Sequence, residues 1–431
     1  MKKVAAVYIT YDGLVNTMCG VGVISRFFVN SFKGVRDKLY DEQGVQVDLH
    51  LISIALKNGA LGYSNKVKKA SIQTARMCGG QLHLIVNGTD GTEQFGKVEN
   101  WKLASAAAAN KSMEISTTYD KTIVFCVDIP FMYVPHYIEQ QKEAFGAINI
   151  ESIIVLHSDV LSHEAENPNI ERLSWEASAI KYGCLRPSIK FAKTSNFLMN
   201  HLIKHYSINK HQIVPLQSGI DLEDSKYKYI DQKKIKKVLE TRGIPTNKDL
   251  IFSVGRAVPY KGFEQLIEAC SKIKHDAHLV FIASPYKFAP SNIEHLKELI
   301  KQYKIACTPI YQLDMDLPRF ICQWKRTIIC AQLSLHEPFG LVPEEVRIWA
   351  KNGGPVILTS GREGFVEQIT DGIDGFSIKS RDANKIAERI DYIFDLSKKE
   401  IARIRQRGYF KAINEYNYQE SIYNCLKSIL Q

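Results

Sequence analysis

Two carboxylates separated by eight positions, Glu337 and Glu345, lie in the run His336-Glu337-Pro338-Phe339-Gly340-Leu341-Val342-Pro343-Glu344-Glu345. The run follows a short β-branched stretch, Thr327-Ile328-Ile329-Cys330, that reads as a strand. Pro338 and Gly340 call for a turn, and Pro343 is compatible only with the first turn of a helix. Glu337 is therefore expected on a loop and Glu345 about one turn into a helix. The backbone N–H groups of Phe339, Gly340 and Leu341 are expected to face the gap between them. A helix start with unpaired donors and a partial positive charge suits phosphate or a ring of hydroxyls, and the carboxylates can accept from hydroxyls on either side. Phosphate together with a polyhydroxyl compound describes a nucleotide-sugar.

A second group of polar residues, Gly255-Arg256-Ala257-Val258-Pro259-Tyr260-Lys261-Gly262, follows the strand candidate Leu250–Val254. It brings a guanidinium and an ammonium onto one loop at the carboxyl end of a strand, where open α/β sheets bind ligands. The first offers a planar fork for phosphate oxygens and the second a point charge. Near the start, Asn16-Thr17-Met18-Cys19-Gly20-Val21-Gly22-Val23 links strand Val4–Ile9 to a helix expected from about Ile24. Gly20 and Gly22 permit close backbone approach to a ligand. Ser25 stands where a dinucleotide fingerprint needs a third glycine, so that motif is excluded. His157 and Asp128 end apolar runs on the same expected edge, with His163 a weaker alternative to His157. His201 and His205 have i,i+4 spacing without a third ligand and read as a solvated helix face. No Asp-x-Asp motif and no His/Asp cluster suited to a divalent cation is read, so neither a metal nor another cofactor is expected.

These segments resemble the Glu-x7-Glu region, the Gly-Arg-x4-Lys-Gly diphosphate segment and the glycine loop of the retaining glycosyltransferases of family 4. The resemblance is firm over roughly 250–380, looser over 1–30 and 150–222, and weak over 35–125. It implies the GT-B architecture, α/β with two Rossmann-like domains facing across a cleft. It implies a nucleotide-diphosphate sugar, most often a UDP-sugar, as donor and a hexosyl transfer with retention. Arg256 and Lys261, with Gly255, would hold the diphosphate, and Gly20 and Gly22 would face it. Glu345 would accept from the ribose and Glu337 would orient the hexose. The backbone of Phe339, Gly340 and Leu341 would bind sugar hydroxyls, and His157 would lie beside the transferred sugar. One departure stands out: the family commonly has Gly-Gly-x-x-Glu after the second glutamate, whereas Glu363 replaces the first glycine here. That change bears on which sugar is taken.

The elements that must position these residues are legible as a βα rhythm. Apolar runs at Val4–Ile9, Val47–Ala55, Gln81–Val86, Thr122–Val127, Ile153–Leu156, Ile189–Lys193 and Gln212–Leu216 form one series. Leu250–Val254, His278–Ala283, Ile305–Tyr311, Thr327–Cys330 and Pro355–Thr359 form a second. Continuous apolar runs fit parallel strands covered on both faces. The polar, Lys-rich stretch 221–248 separates the series. The expected domains are 1–222 on the acceptor side and 223–408 on the donor side. A C-terminal helix, 409–431, is expected to cross back to the first domain, with packing on the second as the alternative.

A chain of 431 residues with 45% apolar and 24% charged content fits a two-domain globular enzyme. The net charge of +10 is compatible with an anionic substrate, a membrane surface or nucleic acid. The basic clusters at Lys66–Lys69 and Lys233–Lys237 lack interleaved aromatics and read as solvated helix faces, which sets nucleic acid aside. Peripheral contact with an anionic membrane is the alternative. Nine scattered cysteines without a Cys-x-x-Cys pair indicate reduced thiols in a cytoplasm. Asp12 ends the N-terminal apolar run too early for a signal peptide, and no 18-residue apolar stretch is present. The acceptor is open: a polysaccharide, a lipid-linked sugar, a protein or a small metabolite. A non-catalytic nucleotide-sugar-binding subunit and another GT-B enzyme, such as an epimerase or a phosphorylase, are the competing readings.

Overall fold

The structure is a computed structural model describing residues 2–60, 62–87, 97–145, 149–163, 168–285 and 291–431. The chain divides into two compact units, Met1–Asp221 with Asn417–Gln431, and Leu222–Tyr416.

The first unit is built on a seven-stranded sheet. Its strands are β1 (Lys3–Ile9), β2 (Gln46–Ile54), β3 (Leu82–Ile85), β4 (Lys121–Val127), β5 (Ile150–Val155), β6 (Ile189–Lys193) and β7 (Ile213–Pro215). The order is β3-β2-β1-β4-β5-β6-β7 and every pairing is parallel. β4 is buried along its whole length and β1 from Val4 onward, as their continuous apolar sequences require when helices cover both faces.

The second unit repeats the plan with six strands, β8 (Asp249–Arg256), β9 (Ala277–Ser284), β10 (Cys307–Ile310), β11 (Thr327–Gln332), β12 (Val356–Thr359) and β13 (Phe376–Ser377). Their order is β10-β9-β8-β11-β12-β13, again all parallel. β13 has only two residues and falls below what an apolar run can signal. In each sheet the connections leave in opposite directions from a central pair, β1/β4 and β8/β11. That divergence opens a crevice at the carboxyl ends of the strands, where α/β sheets bind ligands.

The expected C-terminal segment 409–431 begins inside the helix Lys398–Glu415, and the unit boundary falls at Tyr416/Asn417. Asn417 caps a separate helix, Tyr418–Leu430, that belongs to the first unit. Its first residue donates its N–H to the Ile220 carbonyl at 3.0 Å. Tyr418 is 1% exposed and meets Phe28 edge-on at 6.3 Å, while Phe28 stacks on Tyr8 at 4.1 Å. A Cβ on Gly34 would fall 2.4 Å from the Gln419 amide oxygen, the far end of a flexible side chain. Lys38 pairs with Glu420 at 2.7 Å, and Lys121 donates to the Ile429 carbonyl at 2.8 Å.

The polar stretch 221–248 holds the helix Gln232–Thr241, whose lysines are exposed around the buried Ile235 and Leu239. Among the described residues no helix is long and apolar enough to cross a membrane.

Tyr418→Ala removes a fully buried ring at the junction of helix and sheet. It is expected to lower unfolding stability by about 3–5 kcal/mol, read by chemical denaturation.

Candidate functional site

In the second unit, the loops after β8 and β11 meet at the switch point. β8 ends at Arg256, and a 3-10 turn, Pro259–Lys261, leads through Gly262 into the helix Phe263–Cys270. Gly262 has φ +75°, and a Cβ there would lie 2.4 Å from the Leu333 carbonyl oxygen. The N–H of Leu335 donates to the Tyr260 carbonyl at 2.7 Å. The two loops are thus held together by backbone, and their side chains converge.

The Lys261 ammonium forms an ion pair with the Glu337 carboxylate; both side chains are largely buried. The Arg256 guanidinium donates to the Tyr260 hydroxyl at 2.6 Å. A Cβ on Gly255 would sit at ordinary contact, 3.4 Å, from the Lys261 stem, so Gly255 is not required by space within this loop.

Glu337 is gripped by its backbone as well. The N–H of Glu337 donates to Glu363 Oε2 at 2.6 Å, and the N–H of Gly364 donates to the Glu337 carbonyl at 3.0 Å. His336 Nδ1 lies 3.1 Å from Glu363 Oε1. Burial pushes the Glu363 carboxyl above the usual range, opposed by its bonds to His336 and to the Glu337 amide.

Gly340 takes φ +82°, and a Cβ would fall 2.7 Å from Glu337 Cγ and 2.8 Å from Phe365. Its glycine is therefore demanded by the chain itself. Its carbonyl accepts from the Gln368 side-chain amide at 2.9 Å. The Phe339 ring is buried 5.5 Å from the Tyr416 ring and acts as a wedge. Among the described residues nothing accepts the backbone N–H of Phe339, Gly340 or Leu341.

The helix Val342–Trp349 starts with Pro343 in its first turn and no side-chain cap; Glu344 and Glu345 occupy that turn, where negative charge is favoured. Glu345 Oε1 accepts from the Lys226 ammonium at 2.5 Å. Lys226 lies in the stretch read from sequence as a separator, so only the folded chain reveals the pair. Glu344 points the other way and is buried against Arg347 at 3.0 Å. Arg347 also reaches Asp374 at 2.8 Å and the Gln368 carbonyl at 2.9 Å. Lys411 adds a further cation 3.6 Å from Asp374. Burial raises the Glu344 carboxyl against the pull of Arg347.

In the first unit, the loop after β1 is organised by Asp12. Its carboxylate accepts from the N–H of Met18 at 3.0 Å and of Cys19 at 2.8 Å. The helix starts at Gly20, four residues before Ile24, so Gly20 and Gly22 stand in its first turn. A Cβ on Gly22 would fall 2.5 Å from the Asp12 carboxylate, and one on Gly20 would meet nothing within 4 Å. The close approach at Gly22 is thus to Asp12. Gly13, with φ +100° and a Cβ position 2.5 Å from the Gly22 carbonyl, is the glycine that the turn needs.

His157 follows β5. Its Nε2 is shielded from solvent and has no hydrogen-bond partner among the described residues. Burial pulls its pKa down to about 4, so the ring is neutral near pH 7. Asp128 ends β4 with φ +67°, a strained value for a non-glycine residue, and burial raises its carboxyl.

His201 is not a solvated residue: its Nε2 lies 3.0 Å from the buried Asp159 carboxylate. The His205 ring is 4.4 Å from it. The side chain of His163 lies outside the described residues. Among the described residues no group of three or more His, Cys, Asp or Glu is placed to hold a metal. Asp314-Met315-Asp316 has the Asp-x-Asp spacing but serves a helix start: Asp314 accepts from the N–H of Asp316 and Leu317 and pairs with Arg242 at 2.8 Å.

Residues 234–409, nearly the whole second unit, match the family model described as glycosyl transferases group 1. The chain is 26% identical over 214 residues to a trehalose synthase of Pyrococcus horikoshii. That match takes in 46% of this chain and 49%, about half, of the relative's length. Among solved structures, a sucrose-phosphate synthase of Thermosynechococcus elongatus superposes with TM-score 0.73 at 16% identity, covering 99% of this chain and 98% of that one. The Anabaena protein HepE, solved with UDP and glucose, gives 0.70 at 14% identity with both chains fully covered. A glycosyltransferase of Rickettsia africae gives 0.68 at 19%, covering 100% and 99%. The fold is the GT-B fold, with two Rossmann-like domains.

A histidine neutral in the folded chain down to about pH 4 and protonated near pH 6.5 when unfolded costs stability as pH falls between those values. His157→Gln is expected to remove on the order of 2 kcal/mol of the stability lost between pH 7.5 and pH 5. Denaturation curves of both proteins at the two pH values check this: the loss between them is expected to be smaller in the variant by that amount.

Proposed function

We propose that this protein is a retaining glycosyltransferase that moves a hexose from a nucleotide-diphosphate sugar, a UDP-sugar in the first instance, to a hydroxyl acceptor. The observation that carries the reading is the convergence of Lys261, Arg256 and Glu337 at the β8/β11 switch point. The unpaired amides of residues 339–341 lie on the same loop. The group 1 match over this unit and the UDP complex of HepE support it.

On this reading the diphosphate takes Lys261 and Arg256 as its counterions, and no metal is required. Donor binding then has to compete with, or share, the Lys261–Glu337 pair. Glu337, held by its backbone, orients the hexose, and the amides of Phe339, Gly340 and Leu341 donate to its hydroxyls. Glu345, bound to Lys226 through one oxygen, offers the other to the ribose. His157 contributes a neutral imidazole near the reacting sugar. Gly20 and Gly22, in the first turn of the helix at Gly20–Gln43, serve the phosphates through backbone N–H groups.

The chemistry proposed is front-face displacement. The bond from the anomeric carbon to the diphosphate oxygen breaks as the acceptor oxygen bonds on the same face, and the departing phosphate oxygen takes the acceptor proton. The protein supplies position and neutralises the charge that develops on the leaving group. Nine free thiols support a reducing, cytoplasmic setting.

Lys261→Ala is expected to lower kcat on the order of 10²-fold or more. Near-normal turnover in that variant would sink the assignment. A thermal-shift panel of UDP-, GDP-, ADP- and TDP-sugars, with and without a chelator, is the prior test. Ligand at about 100 times its Kd adds roughly 2.7 kcal/mol. One base is expected to stand out and to be insensitive to chelator; a flat panel would argue for a protein without a preformed donor site.

A further inference from the structure

Glu363 occupies a position that its backbone suits poorly. Its φ is +48°, in the left-handed region that glycine enters freely and a glutamate does not. The next residue, Gly364, has no room for a side chain, since a Cβ would lie 2.5 Å from the Pro338 carbonyl oxygen. A strained residue that persists in a site is held there by its contacts. The contacts here are specific. One carboxylate oxygen accepts the Glu337 N–H at 2.6 Å, and the other faces His336 Nδ1 at 3.1 Å. The carboxylate is only 16% exposed and sits against the residue that carries the other carboxylate of the loop.

The charges around it are unevenly matched. Lys261 pairs with Glu337, and Arg256 binds the Tyr260 hydroxyl. Glu363 has the imidazole of His336, whose ring centroid lies 6.2 Å from that of Tyr260 in an edge arrangement. Arg362, its chain neighbour, is exposed. Among the described residues no lysine or arginine contacts the Glu363 carboxylate, which lies beside Glu337.

We propose that Glu363 determines donor selectivity, its carboxylate holding a second negative charge at the sugar end of the site so that uncharged or amino hexosyl nucleotides enter and uronosyl nucleotides are rejected. This rests on the reading that Glu337 orients the hexose. A like charge placed against the wrong ligand is the standard physical means of rejection. Glu363 also steadies Glu337, because it and Gly364 hold both backbone groups of that residue.

The test uses the full chain and the nucleotide base that stabilises it best, UDP being the first choice. Dissociation constants are measured for the free nucleoside diphosphate, its glucosyl derivative and its glucuronosyl derivative. They are compared in wild type, Glu363→Gln and Glu363→Gly. Wild type is expected to bind the glucuronosyl derivative on the order of tenfold or more weakly than the glucosyl one. Glu363→Gln, which keeps the shape and an acceptor for the Glu337 N–H, is expected to narrow that gap severalfold while leaving the free diphosphate unchanged. Glu363→Gly relieves the backbone strain, stays folded, and is expected to narrow the gap as well. Equal binding of the two sugars by wild type, or an unchanged gap in both variants, overturns the proposal. Failure of wild type to bind any nucleoside diphosphate overturns the donor-site reading beneath it, which is a different result.

Discussion

The second unit depends on one buried cation. Arg347 lies in the helix that follows the site loop, and its guanidinium is bound by Glu344, by Asp374 and by the carbonyls of Gln368 and Asp374. Gln368 in turn holds the Gly340 carbonyl. The helix, the loop that precedes it and the segment 363–374 are thereby one rigid piece. The buried guanidinium is tolerable because both Nη groups meet acceptors, while Nε has none among the described residues; removing a partner would leave an uncompensated charge, which costs far more than a surface pair contributes. The network contributes no atom to the proposed donor contacts. It decides where Glu337, Gly340 and Glu345 stand.

That rigidity explains a division of labour along the Glu337–Glu345 run. The apolar and glycine positions satisfy the protein: Phe339 wedges against Tyr416, and Gly340 fits between Glu337 and Phe365. The charged positions are paired outward, Glu337 with Lys261 and Glu345 with Lys226. Each carboxylate is paired with a lysine. The loop thus carries two ion pairs on a packed frame.

Much of this was legible in the sequence because it depends on local chemistry. The strands β1, β4, β8 and β11 announce themselves by apolar runs, and the turns by glycine and proline, so the loops that follow could be placed on one edge. What could not be read depends on contacts distant in the chain. Lys226 is 119 residues from Glu345, and nothing in a lysine-rich stretch distinguishes it. Asp12 looked incidental, yet it explains Gly22. His201 looked solvated because i,i+4 spacing says nothing of Asp159, 42 residues away. Arg347 left a faint trace in its i,i+3 relation to Glu344, the spacing of a helical pair, but its burial is a tertiary fact.

The return of residues 417–431 to the first unit has a consequence for how the chain is made. The long helix Gly20–Gln43 emerges before the second unit, but the helix that covers it and the Tyr418 ring that closes on Phe28 follow that whole unit. Throughout translation of the intervening unit, the nascent first unit carries an apolar face with no cover, the kind of surface on which incomplete chains associate. A chain cut before Asn417 keeps every strand of the second sheet and leaves the first unit without that helix.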